Sequence, residues 1–153
     1  MTYSGKVKPG SPQVRELADL IITKASVGPM DNNAFLLQCR GTGSRLLVDA
    51  AAEAAVLLQM LSDEPLDSVV TTHRHGDHWG ALAEIVRAKS PTTLAGAADV
   101  EGIPVVTDKP VDDGDTILVG SCQLEVIHLV GHTPGSIALL YDDPAGPPHL
   151  WTG

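Results

Sequence analysis

Half of the six histidines in this 153-residue chain fall within six residues, together with one aspartate. The cluster, called here the histidine segment, spans residues 73–78 and contains His73, His75, Asp77 and His78. The β-branched run 66–72 before it predicts a strand, and the run 79–89 after it predicts a helix. Because alternate side chains of an extended segment share one face, these ionisable groups can converge on one point. The fold must therefore arrange a strand, a loop and a helix around a polar cluster.

Imidazole and carboxylate groups at this spacing are typical ligands of zinc, iron or manganese. Structural zinc sites are rich in thiolate and closed, whereas the histidine segment contains no cysteine. The pattern therefore favours an open metal site of the kind that performs chemistry. The alternative is a polar loop whose histidines only cap the helix that follows.

A second motif, Gly-His-Thr-Pro-Gly-Ser, lies at residues 131–136 and is called here the His132 turn. Proline followed by glycine favours a type II turn between the apolar runs on either side, which would fix the position of His132. A single histidine beside a turn is commonly structural. Together with the histidine segment, however, His132 is interpreted as a third imidazole ligand. His128, four residues earlier in a predicted strand, is interpreted as a supporting histidine that faces the site rather than as a ligand.

The rest of the chain alternates between strand-like and helix-like segments. Residues 20–27, 34–39 and 45–48 predict an antiparallel meander, and apolar residues at helical spacing predict a helix over 51–61. Further strands are predicted at 92–94, 105–106, 116–119, 123–129, 137–141 and 150–152. No internal repeat or long linker divides the chain, so we expect residues 1–153 to form a single domain. This mixture of sheet and helix predicts an α/β sandwich.

Charge and cysteine content narrow the function classes. The chain has 19 acidic and 10 basic residues and a formal net charge of −9, which disfavours nucleic acid or an anionic membrane as partner. No run of 18 apolar residues occurs, and residues 1–13 lack the apolar stretch of a secretory signal. Cys39 and Cys122 are far apart in sequence and lie among apolar residues. We therefore expect reduced core thiols and a cytoplasmic protein.

The two motifs, HxHxDH at residues 73–78 and GHTPGS at 131–136, resemble those of the metallo-β-lactamase-fold hydrolases, in particular the glyoxalase II-like branch. The resemblance extends from the meander at Asn33, through Asp49 at the end of a predicted strand, to residues 151–153. It implies an αββα sandwich in which loops at the edge of the sheets hold the metal ions.

The resemblance also implies a role for each motif residue. His73, His75 and His132 would bind the first metal ion, and Asp77 and His78 would belong to the second. Asp77 would in addition be the catalytic group that orients the nucleophile. Asp49 would lie behind the ligands and orient one of them, although Ala50 and Ala51 follow it where the family commonly has Thr-Gly or Pro-Gly. Two zinc ions are expected in a complete site, with iron or manganese as alternatives.

One part of the family pattern is not found in the chain. In the family, a segment like Leu150 to Gly153 leads directly into an aspartate that bridges both metals, and a last histidine ligand follows later. Neither residue follows Gly153 here. The resemblance therefore implies that the domain is incomplete at its C-terminus, and we expect the native product to continue with an aspartate.

The function implied by the resemblance is metal-dependent hydrolysis. A metal-bound hydroxide would attack the carbonyl carbon of a thioester or related ester in a small-molecule substrate. One alternative is an iron-dependent persulfide dioxygenase, which would use His73 and His132 for a single metal. Another is a non-catalytic metal-binding module, which would apply if 153 residues were the whole protein.

Overall fold

Two β-sheets face each other across an apolar interior in the computed structural model, which describes residues 4–153. Residues 1–3, at the start of the stretch compared above with a secretory signal, lie outside the described residues. The first sheet has seven strands that follow one another in sequence order. They are β1 (Gln13–Glu16), β2 (Leu20–Val27), β3 (Asn32–Cys39), β4 (Arg45–Val48), β5 (Ser68–Thr71), β6 (Thr92–Gly96) and β7 (Lys109–Val111).

The second sheet has four antiparallel strands in the order β11-β10-β9-β8. They are β8 (Thr116–Val119), β9 (Cys122–His128), β10 (Ile137–Tyr141) and β11 (His149–Trp151). Buried and exposed residues alternate along β9, as expected of a strand with one face on the core. The inward face of this sheet packs on the inward face of the first sheet, where Leu37 and Leu139 are fully buried.

Two α-helices, α1 (Ala54–Leu61) and α2 (Leu82–Lys89), cover the outer face of the first sheet. Leu57 and Ile85 are fully buried in a second apolar core between these helices and the sheet. The described residues therefore form helix, sheet and sheet layers, which are three of the four layers that the αββα resemblance implies. Within residues 4–153 no helix combines the length and apolar character needed to cross a membrane.

Strand direction brings the polar loops together. Strands β4, β5, β6 and β7 are parallel, and α1 and α2 supply the crossovers between the first three of them. The carboxyl ends of parallel strands lie at one edge of a sheet, which is where ligands bind in open α/β sheets. Asp49 follows β4 and the histidine segment follows β5 at this edge. A 3-10 helix, Ala97–Gly102, follows β6 there.

Most predicted elements are confirmed, and β2, β4, β8 and β10 have the predicted bounds. The first helix, however, begins three residues later than predicted. The carbonyl groups of Ala50 and Ala51 accept hydrogen bonds from Ala81 and Gly80, at 3.0 Å in both cases, so they are not available to a helix of their own. The second helix also begins three residues late, because the Gly80 and Ala81 N–H groups donate to Ala51 and Ala50 and hold this stretch outside the helix.

The predicted strand at 105–106 is wrong. Val106 is 82% exposed, and its carbonyl oxygen accepts a hydrogen bond from the Thr93 hydroxyl instead of a strand partner. The strand that pairs with β6 is β7, three residues further on. Strand β1 and the 3-10 helix at 97–102 were not predicted, because their mixed polar sequences carry no clear period.

Candidate metal centre

Three imidazole rings converge at the carboxyl edge of the first sheet. His73, His75 and His132 present ring nitrogens that all lie within 4.8 Å of one another. The Nε2 atoms of His73 and His132 are 3.1 Å apart. The His73 ring is buried and the other two are exposed, so the cluster opens to solvent on one side. Two motifs almost sixty residues apart in sequence thus meet at this edge.

Asp49 supports this cluster from the interior. Its side chain is buried, and its backbone has a φ of 60° at the end of β4. One carboxylate oxygen accepts a hydrogen bond from the Thr72 backbone N–H at 2.7 Å. The other accepts from the Thr72 hydroxyl at 2.7 Å and lies 2.8 Å from Nδ1 of His78. Asp49 therefore contacts His78 and the residue that precedes the histidine segment, Thr72.

The same hydrogen bonds assign the tautomer of His73. The Thr72 hydroxyl donates its proton to Oδ2 of Asp49. Nδ1 of His73 lies 3.1 Å from that hydroxyl oxygen and therefore donates to it. In a neutral ring the lone pair is then on Nε2, the atom that faces His132. A histidine ligand of a metal is oriented by its second nitrogen in this way.

The pKa values of two histidines in the segment, His73 and His78, are shifted in opposite directions. Burial, reinforced by the charge of His78, lowers the pKa of His73 to about 4, which keeps this ring neutral at pH 7. Burial by itself would also lower the pKa of His78. The hydrogen bond and charge of Asp49, with the charge of Asp77, outweigh that effect and hold the His78 pKa above its usual value. A neutral imidazole is the form that binds metal.

Asp77 lies at the exposed side of the cluster, and its Oδ2 is 3.5 Å from Nε2 of His78. Asn32, the first residue of β3, donates from Nδ2 to this carboxylate at 2.9 Å and to the Asp77 carbonyl at 2.6 Å. The Asn32 hydrogen bond is the main cause of the lowered Asp77 pKa, so the carboxylate is ionised at neutral pH. The sequence analysis missed Asn32, although an asparagine at the start of an apolar strand is a polar signal.

This donor set fits a metal ion. Three imidazole nitrogens approach one point, and one of them directs a lone pair towards the others. An ionised carboxylate and a further imidazole, Asp77 and His78, stand next to the triad; the His73 and His78 ring centroids are 4.0 Å apart. Nitrogen and oxygen ligands with one side open match catalytic zinc sites better than closed structural ones.

Two further side chains hold the loops. Asp99, in the 3-10 helix after β6, is fully buried and accepts hydrogen bonds from residues of both ligand-bearing loops. Sequence reasoning missed it. Among residues 4–153, the hydrogen bonds of His128 involve no ligand side chain. Its Nε2 lies 2.8 Å from the Pro134 carbonyl oxygen, and its backbone N–H donates to Asp113 at 2.8 Å. His128 therefore supports the His132 turn.

An apolar pocket of about 270 Å³ opens beside Asp77. It lies between the β2–β3 turn, which includes Met30, and the Ala51–Ala52 pair that precedes α1. Ala52 packs so closely on Gly28 that a side chain at residue 28 would have to displace it. The small residues after Asp49, which depart from the family pattern, thus line one wall of this pocket.

Comparison with known proteins agrees with this geometry. The family model described as the metallo-beta-lactamase superfamily matches residues 27–144, which contain every residue of the candidate centre. The chain belongs to the metallo-β-lactamase superfamily. Its curated relatives include a hydroxyacylglutathione hydrolase of Cereibacter sphaeroides, 35% identical over 115 residues, and one of Methylococcus capsulatus, 34% identical over 122 residues. A probable hydroxyacylglutathione hydrolase of Schizosaccharomyces pombe is 32% identical over 117 residues.

These matches cover 72–75% of this superfamily member and 44–45% of the relatives, so it spans less than half of their length.

Solved structures show the same fold. A metallo-β-lactamase from Staphylococcus aureus superposes with a TM-score of 0.74 at 23% identity, covering 88% of this chain and 42% of that one. A class B3 di-zinc metallo-β-lactamase from an Alaskan soil metagenome gives 0.72 at 24% identity, covering 94% and 61%.

Proposed function

We propose that this chain carries the metal-binding half of a hydrolase that cleaves a thioester or related ester of a small molecule. The observation that carries the proposal is the convergence of His73, His75 and His132, with the ionised Asp77 beside them. The curated relatives are named hydroxyacylglutathione hydrolases, which supports an acyl thioester of glutathione as the substrate class.

In this proposal the triad holds one metal ion, and Asp77 and His78 contribute to a second. Zinc is the proposed metal, because neutral imidazole and carboxylate ligands in an open site suit it. When bound, the metal would polarise the substrate carbonyl and lower the pKa of a bound water to about 7. Side chains of the protein are assigned the other roles, which are to orient the water and to bind the substrate.

Asp77 is proposed to orient the nucleophilic water by accepting a hydrogen bond from it. The contacts from Asn32 leave this carboxylate ionised and fix its position, which a hydrogen-bond acceptor of that kind requires. Asp49 keeps Nδ1 of His78 occupied, so that Nε2 of His78 faces Asp77. The apolar pocket between Met30 and Ala52 is the proposed site for the acyl part of the substrate.

We also infer that residues 1–153 belong to one domain and that the protein is cytoplasmic, without nucleic acid or membrane as partner. The first sheet packs against the second sheet on one face and against both helices on the other, which supports a single domain. Cys39 and Cys122 are free and buried, which supports a reducing compartment. The formal net charge of −9 supports the partner assignment.

The test combines metal analysis with an assay for thioester hydrolysis. Purified chain is loaded with zinc, its metal content is measured by mass spectrometry, and release of glutathione from a hydroxyacylglutathione is followed with a thiol reagent. For a protein that spans the full length of its relatives we expect two zinc ions per chain, and a loss of about 10²–10⁴-fold in turnover for Asp77→Asn. In residues 1–153 the second ion would be held by Asp77 and His78 and should bind weakly. The control is Asp143→Asn, since Asp143 is a carboxylate away from the triad whose hydrogen bond, among residues 4–153, comes from Ala145 in its own turn.

Three results would contradict the proposal. Unchanged turnover in Asp77→Asn would remove Asp77 from its proposed role. Bound iron, together with oxygen consumption in the presence of a glutathione persulfide, would favour a dioxygenase. One weakly bound metal without hydrolysis would favour a non-catalytic metal-binding module.

A further inference from the structure

A buried carboxylate outside the proposed ligand set joins the two loops that carry the triad. Asp99 has no solvent-exposed surface, and it lies in the first turn of the 3-10 helix Ala97–Gly102 that follows β6. A buried carboxylate is stable only when its oxygens accept hydrogen bonds, so each of its partners is informative.

Asp99 takes its partners from the histidine segment and from the His132 turn. Its Oδ2 accepts from the backbone N–H of Arg74 at 2.9 Å and from the hydroxyl of Thr133 at 2.5 Å. Its Oδ1 accepts from the backbone N–H of Gly135 at 2.8 Å. Arg74 directly follows the ligand His73, and Thr133 directly follows the ligand His132. One carboxylate oxygen therefore bonds the neighbours of both ligands.

The backbone around Asp99 is packed too closely to shift by itself. A Cβ atom on Gly135 would overlap the backbone of Ala98 and Asp99, and one on Gly96 would overlap the Gly135 carbonyl. The base of the two loops is tied as well, since the Ile137 N–H donates to the Thr72 carbonyl at 2.9 Å. The two loops are therefore joined twice. The hydrogen bond between Ile137 and Thr72 joins their backbones at the base, and the Asp99 side chain joins them on the side that carries the ligands.

We propose that Asp99 is a positioning residue that sets the separation between His73 and His132 and thereby the affinity of the centre for its metal. The inference rests on the metal centre of the proposed function. Without the carboxylate, two buried donors of the His132 turn, the Thr133 hydroxyl and the Gly135 N–H, lack an acceptor, and so does the Arg74 N–H of the histidine segment, so the two loops must move to satisfy them. Ligands held a fraction of an ångström from the required geometry bind more weakly.

The size of the effect follows from other metal sites. Loss of a group that orients a ligand typically costs about 10- to 100-fold in metal affinity. Asp99→Asn has the same shape but replaces one acceptor oxygen by an NH2 group. The Thr133 hydroxyl can reverse its hydrogen bond, whereas the Arg74 N–H cannot. Thr133→Val replaces the hydroxyl by a methyl group of similar volume, so it removes the hydrogen bond to Asp99 without creating a cavity.

The experiment measures zinc affinity and the cobalt absorption spectrum of the unsubstituted chain and of four variants. The variants are Asp99→Asn, Thr133→Val, Thr133→Ser and the control Asp143→Asn. Zinc affinity is measured by competition with a chelator and without substrate. The cobalt spectrum reports ligand geometry, and thermal unfolding of the metal-free protein reports stability.

We expect Asp99→Asn and Thr133→Val to bind zinc about 10- to 100-fold more weakly and to change the cobalt spectrum. Thr133→Ser keeps the hydroxyl and should restore both properties. Asp143→Asn should leave both unchanged. If Asp99→Asn and Thr133→Val bind zinc with unaltered affinity and spectrum, or if Asp143→Asn weakens binding equally, the proposal is overturned.

The same measurements separate this inference from the proposed function. Weaker zinc binding in the Asp99 and Thr133 variants supports the positioning role even if no thioester is hydrolysed. Conversely, hydrolysis by a chain whose zinc affinity is insensitive to both substitutions supports the function and refutes the positioning role.

Discussion

The histidine segment and the His132 turn both supply imidazoles to the same triad, but the fold holds them by different means. The histidine segment lies between β5 and α2 and is fastened from within by Asp49. The His132 turn connects two strands of the second sheet, and the neighbouring Val130 is 90% exposed. It is fastened by His128 at the end of β9 and by Asp99, which also bonds the Arg74 N–H of the histidine segment.

The contacts of the two loops therefore have different consequences for the molecule. The histidine segment is part of the parallel sheet and its crossovers, so the fold cannot form without placing it. The His132 turn is joined to that frame by a few hydrogen bonds, and those bonds determine where the third imidazole stands. Substitutions at the first should therefore affect mainly folding, and those at the second mainly the metal centre.

The largest effect is expected for Asp49→Ala. The substitution leaves the Thr72 N–H, the Thr72 hydroxyl and Nδ1 of His78 without their buried acceptor, which should cost about 3–5 kcal/mol in free energy of unfolding. Urea denaturation of the metal-free chain measures it. Asp67→Ala, at an exposed carboxylate that bonds one backbone N–H, is the control. A cost no larger than that of the control would break the comparison.

Gly135→Ala should come next. Its Cβ would overlap the backbone of Asp99 and Ala98, so the His132 turn must move outwards, at about 1–3 kcal/mol. The free energy of unfolding and the zinc affinity are both measured. Gly41→Ala is the matched control, because a Cβ there meets only the Ser121 hydroxyl at 3.8 Å. Normal zinc binding by a destabilised Gly135→Ala chain would show that the turn tolerates displacement.

His128→Ala should have a smaller effect. It removes the contact between Nε2 and the Pro134 carbonyl at an exposed site, worth about 0.5–1.5 kcal/mol. Glu125→Ala, an exposed position on the same strand, is the control for loss of a side chain. Chemical denaturation compares the two variants. Equal stability would mean that the His128 side chain does not help to hold the turn.

Val130→Ser should change the stability least, by less than about 0.5 kcal/mol, because its side chain is 90% exposed. Val126→Ser, at a fully buried position in β9, is the contrasting variant and should cost several times more. Thermal unfolding of both chains provides the measurement. A large loss at Val130 would reveal that the His132 turn packs against something that the described residues do not include.

The local parts of the site could be predicted from the sequence. A polar segment after a strand places His73 and His75, but the extended run predicted there ends at the 3-10 helix Gly76–His78, which carries Asp77. The Pro-Gly pair marks a turn after His132, although Gly135 lacks the positive φ of the predicted type II turn. The bounds of β2 and β4 follow from their β-branched and apolar runs. In each case the informative residues are neighbours in the chain.

The parts that were missed depend on contacts between distant residues. Asp99 is 25 residues from Arg74 and 34 from Thr133, and its own segment reads as a small polar loop. Asn32 reaches Asp77 across 45 residues. The strand predicted at 105–106 fails for the same reason, because Thr93 holds that loop by side-chain bonds that no local pattern reveals.

The position of Trp79 gives the molecule an optical property. The chain has two tryptophans: the indole N–H of Trp79 donates to the Arg74 carbonyl at 2.8 Å, next to His73, whereas Trp151 is buried between the sheets. Fluorescence emission from Trp79 should therefore change when an ion enters the triad, while emission from Trp151 stays constant as an internal reference. Subtracting the spectrum of a Trp79→Phe chain would isolate this signal, so that binding can be followed without any added dye.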